Sequence, residues 1–265
     1  MIRLMSFLLV LWASAAASDT MKLAVTTSFH NSGLSDILLP AIKQDTGIDV
    51  QLLIVGTGQA LRLGRGGDVD AILVHSKAAE DAFVADGSGT HRREIMYNDF
   101  VLIGPADDPA GIKASQTTRS ALQAIHANKP RFVSRGDDSG THKKELALWA
   151  DAGFDPNNFT AWYSAVGAGM GASLNTASGL NAYIMSDRAS WLNFNNKGDL
   201  SLLFSGDPVL FNQYAYLPVN PAKHNHVKAD LVARLETWLA GERAEGMINS
   251  YTIDGETLFT FNAKR

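Results

Sequence analysis

Cysteine is absent from this chain of 265 residues. That excludes disulfides, thiolate-held metals and a lipid carried on an N-terminal cysteine, so a core alone must hold the fold. Positive charge is also short: 23 Lys and Arg stand against 27 Asp and Glu, a net charge of −4, with no basic stripe to neutralise a phosphate backbone. Nucleic acid is therefore not an expected partner. Internal repeats, low-complexity tracts and coiled-coil heptads are missing as well. What the chain does have is apolar content, 46% of its residues, and that is enough for a large core at this length.

The one long apolar run stands at the start. Met1-Ile2-Arg3 supplies a positive charge, Leu4 to Ala13 is apolar except for Ser6, and Ala15-Ala16-Ala17 places small residues at cleavage positions. The run is too short to span a bilayer and has the form of a secretory signal peptide over residues 1–17. A buried first helix is the alternative, but nothing caps the segment, and the next apolar run, Lys22 to Val25, follows a Ser-Asp-Thr break. The mature chain then starts near Ser18, and loss of Arg3 moves the net charge from −4 to −5. The expectation is a free periplasmic protein.

Beyond this segment, strands and helices alternate. Leu23 to Thr27 reads as a strand, Ser35 to Thr46 as a helix with apolar residues at helical spacing (Ile37, Leu38, Ala41, Ile42) ending at Gly47, and Asp49 to Val55 as a second strand. Gly56 to Leu61 leading into Asp70 to Val74 repeats the unit. Such βαβ units build a parallel sheet whose ligands sit beyond the carboxyl ends of the strands. Near Tyr97 the pattern changes: Phe100 to Pro105 is a buried strand running into the turn-rich Ala106 to Gly111, and Phe211 to Val219 is a returning strand. Two crossings imply an α/β protein of two lobes with a hinge, lobe 1 being 18–104 and 206–265 and lobe 2 being 105–205. The tail from Val227 to Tyr251 carries an apolar face (Leu231, Leu235, Trp238, Leu239, Ile248) that is expected to pack on lobe 1.

Four loops at strand-to-helix junctions are rich in hydrogen-bond donors. They are Thr26-Thr27-Ser28 with Asn31-Ser32-Gly33, Gly56-Thr57-Gly58-Gln59, Arg135-Gly136-Asp137-Asp138-Ser139-Gly140-Thr141-His142, and Gly167 to Leu174, which includes Ser173. Singly, each could be no more than a helix cap or a chain reversal. Together they supply hydroxyls, free amides and one arginine with few carboxylates. The amides of Ser139 to His142 are expected to stand unpaired at the positive end of a helix beginning near Lys143. A tetrahedral dianion, which has acceptors only, suits such donors without a metal or cofactor. Five to seven charge-assisted hydrogen bonds of roughly 1.5–3 kcal/mol each can reach about −12 kcal/mol, nanomolar affinity. Asp137 either accepts a proton from a partly protonated anion or pairs with Arg135.

Val25-Thr26-Thr27-Ser28, Val55 to Leu61, Met96 to Val101, Arg135 to His142, Gly167 to Leu174 and Val219-Asn220-Pro221 resemble, in order and spacing, the extracytoplasmic tungstate-binding proteins of ABC importers. The resemblance covers nearly all of the mature chain. It implies a type 2 periplasmic binding protein fold, capture of tungstate or molybdate, and delivery to an inner-membrane permease by a monomeric receptor. It also implies a ligand set of Thr27, Ser28, Thr57, Arg135, Ser139, Gly140, Thr141 and Ser173. Two positions depart from the family pattern: Val25 stands for a threonine and is expected to point into the sheet, and Ser173 stands for a threonine.

Other readings stay open on the residues. A phosphate or sulfate receptor of the same fold would use similar loops. Ser139 and His142 could suggest a secreted hydrolase, although no Gly-x-Ser-x-Gly elbow accompanies them. His224 and His226 could suggest a metal pair, although an exposed approach to a helix explains them as well. Gly167, Gly169 and Gly171 lack dinucleotide-loop spacing.

Overall fold

A computed structural model describes residues 19–264. The signal-peptide reading of residues 1–17 lies outside the described residues. The chain runs β1 (Asp19–Thr26), α1 (Thr27–Asn31), α2 (Leu34–Thr46), β2 (Ile48–Val55), α3 (Thr57–Gly66), β3 (Ala71–Val74), α4 (Lys77–Ala85) and then the long β4 (Arg93–Pro105). It continues through α5 (Thr118–Asn128), β5 (Phe132–Ser134), α6 (Gly140–Asp151), β6 (Tyr163–Ala165), α7 (Met170–Leu180), β7 (Tyr183–Asp187), α8 (Arg188–Leu192) and β8 (Leu200–Phe204). The return is β9 (Phe211–Pro218), followed by α9 (Ala229–Leu239), α10 (Glu242–Ser250), β10 (Thr252–Ile253), β11 (Glu256–Thr257) and β12 (Thr260–Phe261).

The strand order β2-β1-β3-β9-β4-β7-β5-β6 joins both lobes in one sheet. In lobe 1, β2, β1 and β3 are parallel, and β9 closes antiparallel on β3. In lobe 2, β7, β5 and β6 are parallel, and β7 lies antiparallel to β4. The sequence shows why β3 is central and β2 is not. Ala-Ile-Leu-Val of β3 is buried throughout, whereas β2 is mostly half-buried and leaves Gln51 and Ile54 exposed, as an edge strand should. Helix α2 stops where expected, at Gly47, whose φ of +73° forms a left-handed cap.

Strand β4 connects the lobes. Its thirteen residues are long enough, at about 3.3 Å each, to belong to both. Arg93 to Asp99 pair with β9 of lobe 1, and Phe100 to Ile103 pair with β7 of lobe 2. The chain thus crosses at Asp99–Phe100, inside a continuous strand, several residues before the turn-rich segment where the composition placed the boundary. The second crossing lies beside it, since Asp99 is opposite Phe211.

The core falls into two clusters. The larger packs Met21, Ile72, Tyr216 and Leu217 with helices of lobe 1, and it includes the tail residues Leu235, Trp238, Leu239 and Ile248. The tail is locked by Tyr216 Oη donating to the Val232 carbonyl at 3.1 Å and by Trp238 Nε1 donating to Asp45 at 2.8 Å. The smaller cluster, in lobe 2, is aromatic. Phe132, Trp149, Phe159 and Trp162 meet at ring distances of 4.6–5.4 Å, so apolar packing supplies what disulfides do not.

Candidate anion-binding site

A cleft of about 730 Å³ lies between the lobes. The loops at its wall leave the carboxyl ends of β1, β2 and β3 in lobe 1 and of β5, β6 and β7 in lobe 2, the side of a parallel sheet where ligands collect. Thr27, Ser28, Thr57, Arg135, Ser139, Gly140 and Thr141 all line it. The lobes touch there: a Cβ added to Gly140 would stand 3.4 Å from the His75 ring.

The Arg135 loop is built by short-range bonds. Arg135 Nη2 donates to Asp137 Oδ2 at 2.5 Å, and Asp137 Oδ1 accepts the Ser139 amide at 3.2 Å. Both carboxylate oxygens are thereby occupied, and Asp137 braces the guanidinium. Its carboxyl is held below the usual range because the hydrogen bonds from Ser139 and Arg135 outweigh its partial burial. The turn requires Gly136, whose φ is +62° and whose Cβ position lies 2.8 Å from that of Ala165. Arg135 Nε is buried and has no protein partner.

Ser139 is the N-cap of α6, its hydroxyl accepting the His142 amide at 3.2 Å. The Ser139 proton remains available, as do the amides of Gly140 and Thr141 in the first turn. Of the four amides expected to be free, then, Ser139 and His142 are engaged. The ring of His142 turns away, Nδ1 accepting the Asp138 amide at 3.1 Å, so Ser139 and His142 form no catalytic pair. Thr57 begins α3 after Gly56, which offers no side-chain cap, and it lines the cleft at the uncapped helix start.

Ser173 is not brought to the cleft. It is fully buried, one turn inside α7, and its hydroxyl donates back to the carbonyls of Ala168 and Gly169 at 3.2 and 3.1 Å. The uncapped helix start, Gly169 to Gly171, lines the cleft in its stead. Val25 is fully buried in β1. His224 and His226 each direct Nε2 to a carbonyl, of Arg65 at 3.0 Å and Gly67 at 2.7 Å, and so fasten their loop to the end of α3. No group of His, Asp and Glu side chains able to hold a metal occurs among the described residues.

Four residues absent from the sequence reading shape the floor. Ser28 Oγ lies 3.1 Å from His75 Nε2, 3.0 Å from Tyr214 Oη and 3.0 Å from Thr26 Oγ1. Burial lowers His75 to about 4, so the imidazole is neutral near pH 7 and brings no charge. Asn212 lines the cleft and donates to Asn98 at 2.9 Å, between the two crossing strands. Asp187, 4% exposed, also lines the cleft. The signal for His75, Asn212 and Asp187 was positional, for each stands at an end of a strand.

Beneath the loop, Glu145 of α6 is buried and accepts from Tyr163 Oη at 2.7 Å. Burial pushes its carboxyl up to about 7.

Two α/β lobes joined by the crossing strand β4 and a second connection into β9, with helix starts from both lobes lining one cleft, define a type 2 periplasmic binding protein. Residues 13–243 match the PBP superfamily domain. A tungstate-binding protein of Peptoclostridium acidaminophilum is 45% identical over 253 residues, 94% of this chain and 88% of that protein. The solved tungstate-binding protein of Desulfovibrio alaskensis G20 is 45% identical with a TM-score of 0.88, over 93% of this chain and all of that one. The solved structure of the tungstate ABC transporter from Geobacter sulfurreducens is 44% identical with a TM-score of 0.79, over 89% of this chain and 100% of that one. The chain belongs to this family of tungstate-binding proteins within the PBP superfamily.

Proposed function

We propose that the protein is the extracytoplasmic receptor of an ABC importer, capturing tungstate, or molybdate in its place, and presenting it to an inner-membrane permease without chemical change. The observation that carries this reading is the half-buried guanidinium of Arg135, braced by Asp137 and facing a cleft where Thr27, Ser28, Thr57, Ser139, Gly140 and Thr141 supply hydroxyls and amides from both lobes. A tetrahedral dianion accepts from every one of these groups. The names of the family members support the choice of ion.

The mature receptor is read as a monomer in the periplasm, released from the signal peptide of residues 1–17. No helix among the described residues is long and apolar enough to cross a membrane. Calorimetry of the mature chain with tungstate, molybdate, sulfate and phosphate tests the reading. Nanomolar tungstate binding with sulfate and phosphate at least a thousandfold weaker is the expected result; tighter phosphate or sulfate binding overturns it in favour of a receptor for that ion.

A further inference from the structure

Two carboxylates line this site of donors, the exposed Asp138 and the buried Asp187, and only the second is withdrawn from solvent. Asp187 closes β7 and caps α8, its Oδ1 accepting the Ser190 amide at 2.9 Å. That cap uses one oxygen and leaves a carboxyl group 4% exposed on the wall that Arg135, Ser190 and Asn212 also line. Arg135 pairs with Asp137 and not with Asp187. Arg188, next in the chain, turns away and holds Asp99 and Glu256. The groups facing Asp187 are thus Arg135 from the loop before α6, which acts on it through space, and Tyr214 from β9. Behind Tyr214 lies the neutral His75.

An ionised carboxylate on this wall would offer a bound dianion only a second set of acceptors and a like charge. One proton removes both conflicts, because the neutral acid keeps an acceptor for the Ser190 amide and gains a donor for the ion. We infer that Asp187 shares a proton with the bound oxyanion, its carboxyl group donating to one oxygen of the tetrahedral ion, so that capture of a dianion takes one proton from solvent. This rests on the oxyanion reading of the cleft. Burial favours the same protonation, raising the Asp187 carboxyl above its ordinary range even with Arg135 pulling the other way. Asp187 is accordingly a specificity residue, favouring oxyanions whose oxygens are basic enough to accept from a carboxylic acid.

Titration of the mature protein with sodium tungstate, between pH 6 and 9 and in buffers of different ionisation heat, tests the assignment. Proton uptake should rise toward one per ion at the alkaline end, where tungstate affinity should fall about tenfold per pH unit. In Asp187→Asn the amide keeps an N-cap oxygen for Ser190, and uptake should vanish with the affinity nearly flat across the range. His75→Gln should retain the uptake. Tungstate binding without proton uptake at any of these pH values overturns the proposal, as does uptake that survives in Asp187→Asn or disappears in His75→Gln. Failure of the wild-type protein to bind tungstate at all is a separate outcome and counts against the receptor function itself.

Discussion

Arg135 and Asp137, two residues apart on one loop, meet at 2.5 Å through Nη2 and Oδ2, while the second oxygen of Asp137 holds the Ser139 amide that leads into α6. One carboxylate therefore positions both the fixed cation and the helix start beside it.

Arg135→Ala should weaken tungstate binding at least tenfold, about 1.4 kcal/mol, with the melting temperature nearly unchanged. Arg135→Lys should recover only part, because an ammonium cannot keep the Asp137 contact and present a second donor in the same fork. Calorimetry on both variants is the check, and an alanine variant with wild-type affinity removes Arg135 from the site.

Closure should accompany binding. Donors from both lobes around one ion bind the closed form more tightly than the open one, so the ligand shifts that equilibrium. Small-angle scattering should give a smaller radius of gyration with saturating tungstate; equal radii would contradict the shift.

Stability should carry the mark of Glu145. Burial raises its carboxyl from the ordinary 4.5 to about 7 in the folded state, so between these pH values the native state binds more protons than the unfolded chain. Stability from this group then falls as pH rises from about 4.5 to 7, by roughly 3 kcal/mol in all, and changes no further above that. Glu145→Gln keeps an acceptor for Tyr163 and removes the titration. Thermal melts at pH 5 and pH 8 should show the variant gaining on the wild type at the higher pH, whereas a gap independent of pH would refute the assignment.

Gly136→Ala should harm both fold and binding. The residue would need a positive φ and would press its Cβ against Ala165, a combination expected to destabilise by about 1–3 kcal/mol. Because the same turn carries Arg135, tungstate affinity should drop as well, whereas Gly171→Ala, which meets nothing within 4 Å, should leave the melting temperature close to that of the wild type.

The helix-start loops were legible because the signal is local: a glycine or hydroxyl residue just before an apolar helical period marks the start, and its orphan amides follow from helix geometry. Ser173 misled the reading for the same reason. Its letter suits a cap, but it lies a full turn inside α7, where a hydroxyl bonds back to its own helix. Asp187, Tyr214 and His75 stayed hidden because no short window contains their partners; Ser28 and Tyr214 are 186 residues apart. The change of neighbours within β4 was not legible because the strand carries no turn where it changes partners. Phe100 to Pro105 read as one strand, and only the pairing shows that the strand begins earlier and has two neighbours.

That uninterrupted strand has a mechanical consequence. β4 crosses as one strand, the second connection enters β9 at Phe211 opposite Asp99, and Arg188 ties α8 to Asp99 and to Glu256 beside the junction. Any movement of one lobe against the other must then bend β4 where it changes partners, so the ladder bonds on either side of Asp99 and Phe100 tie the shape of the cleft mouth to the shape of that strand.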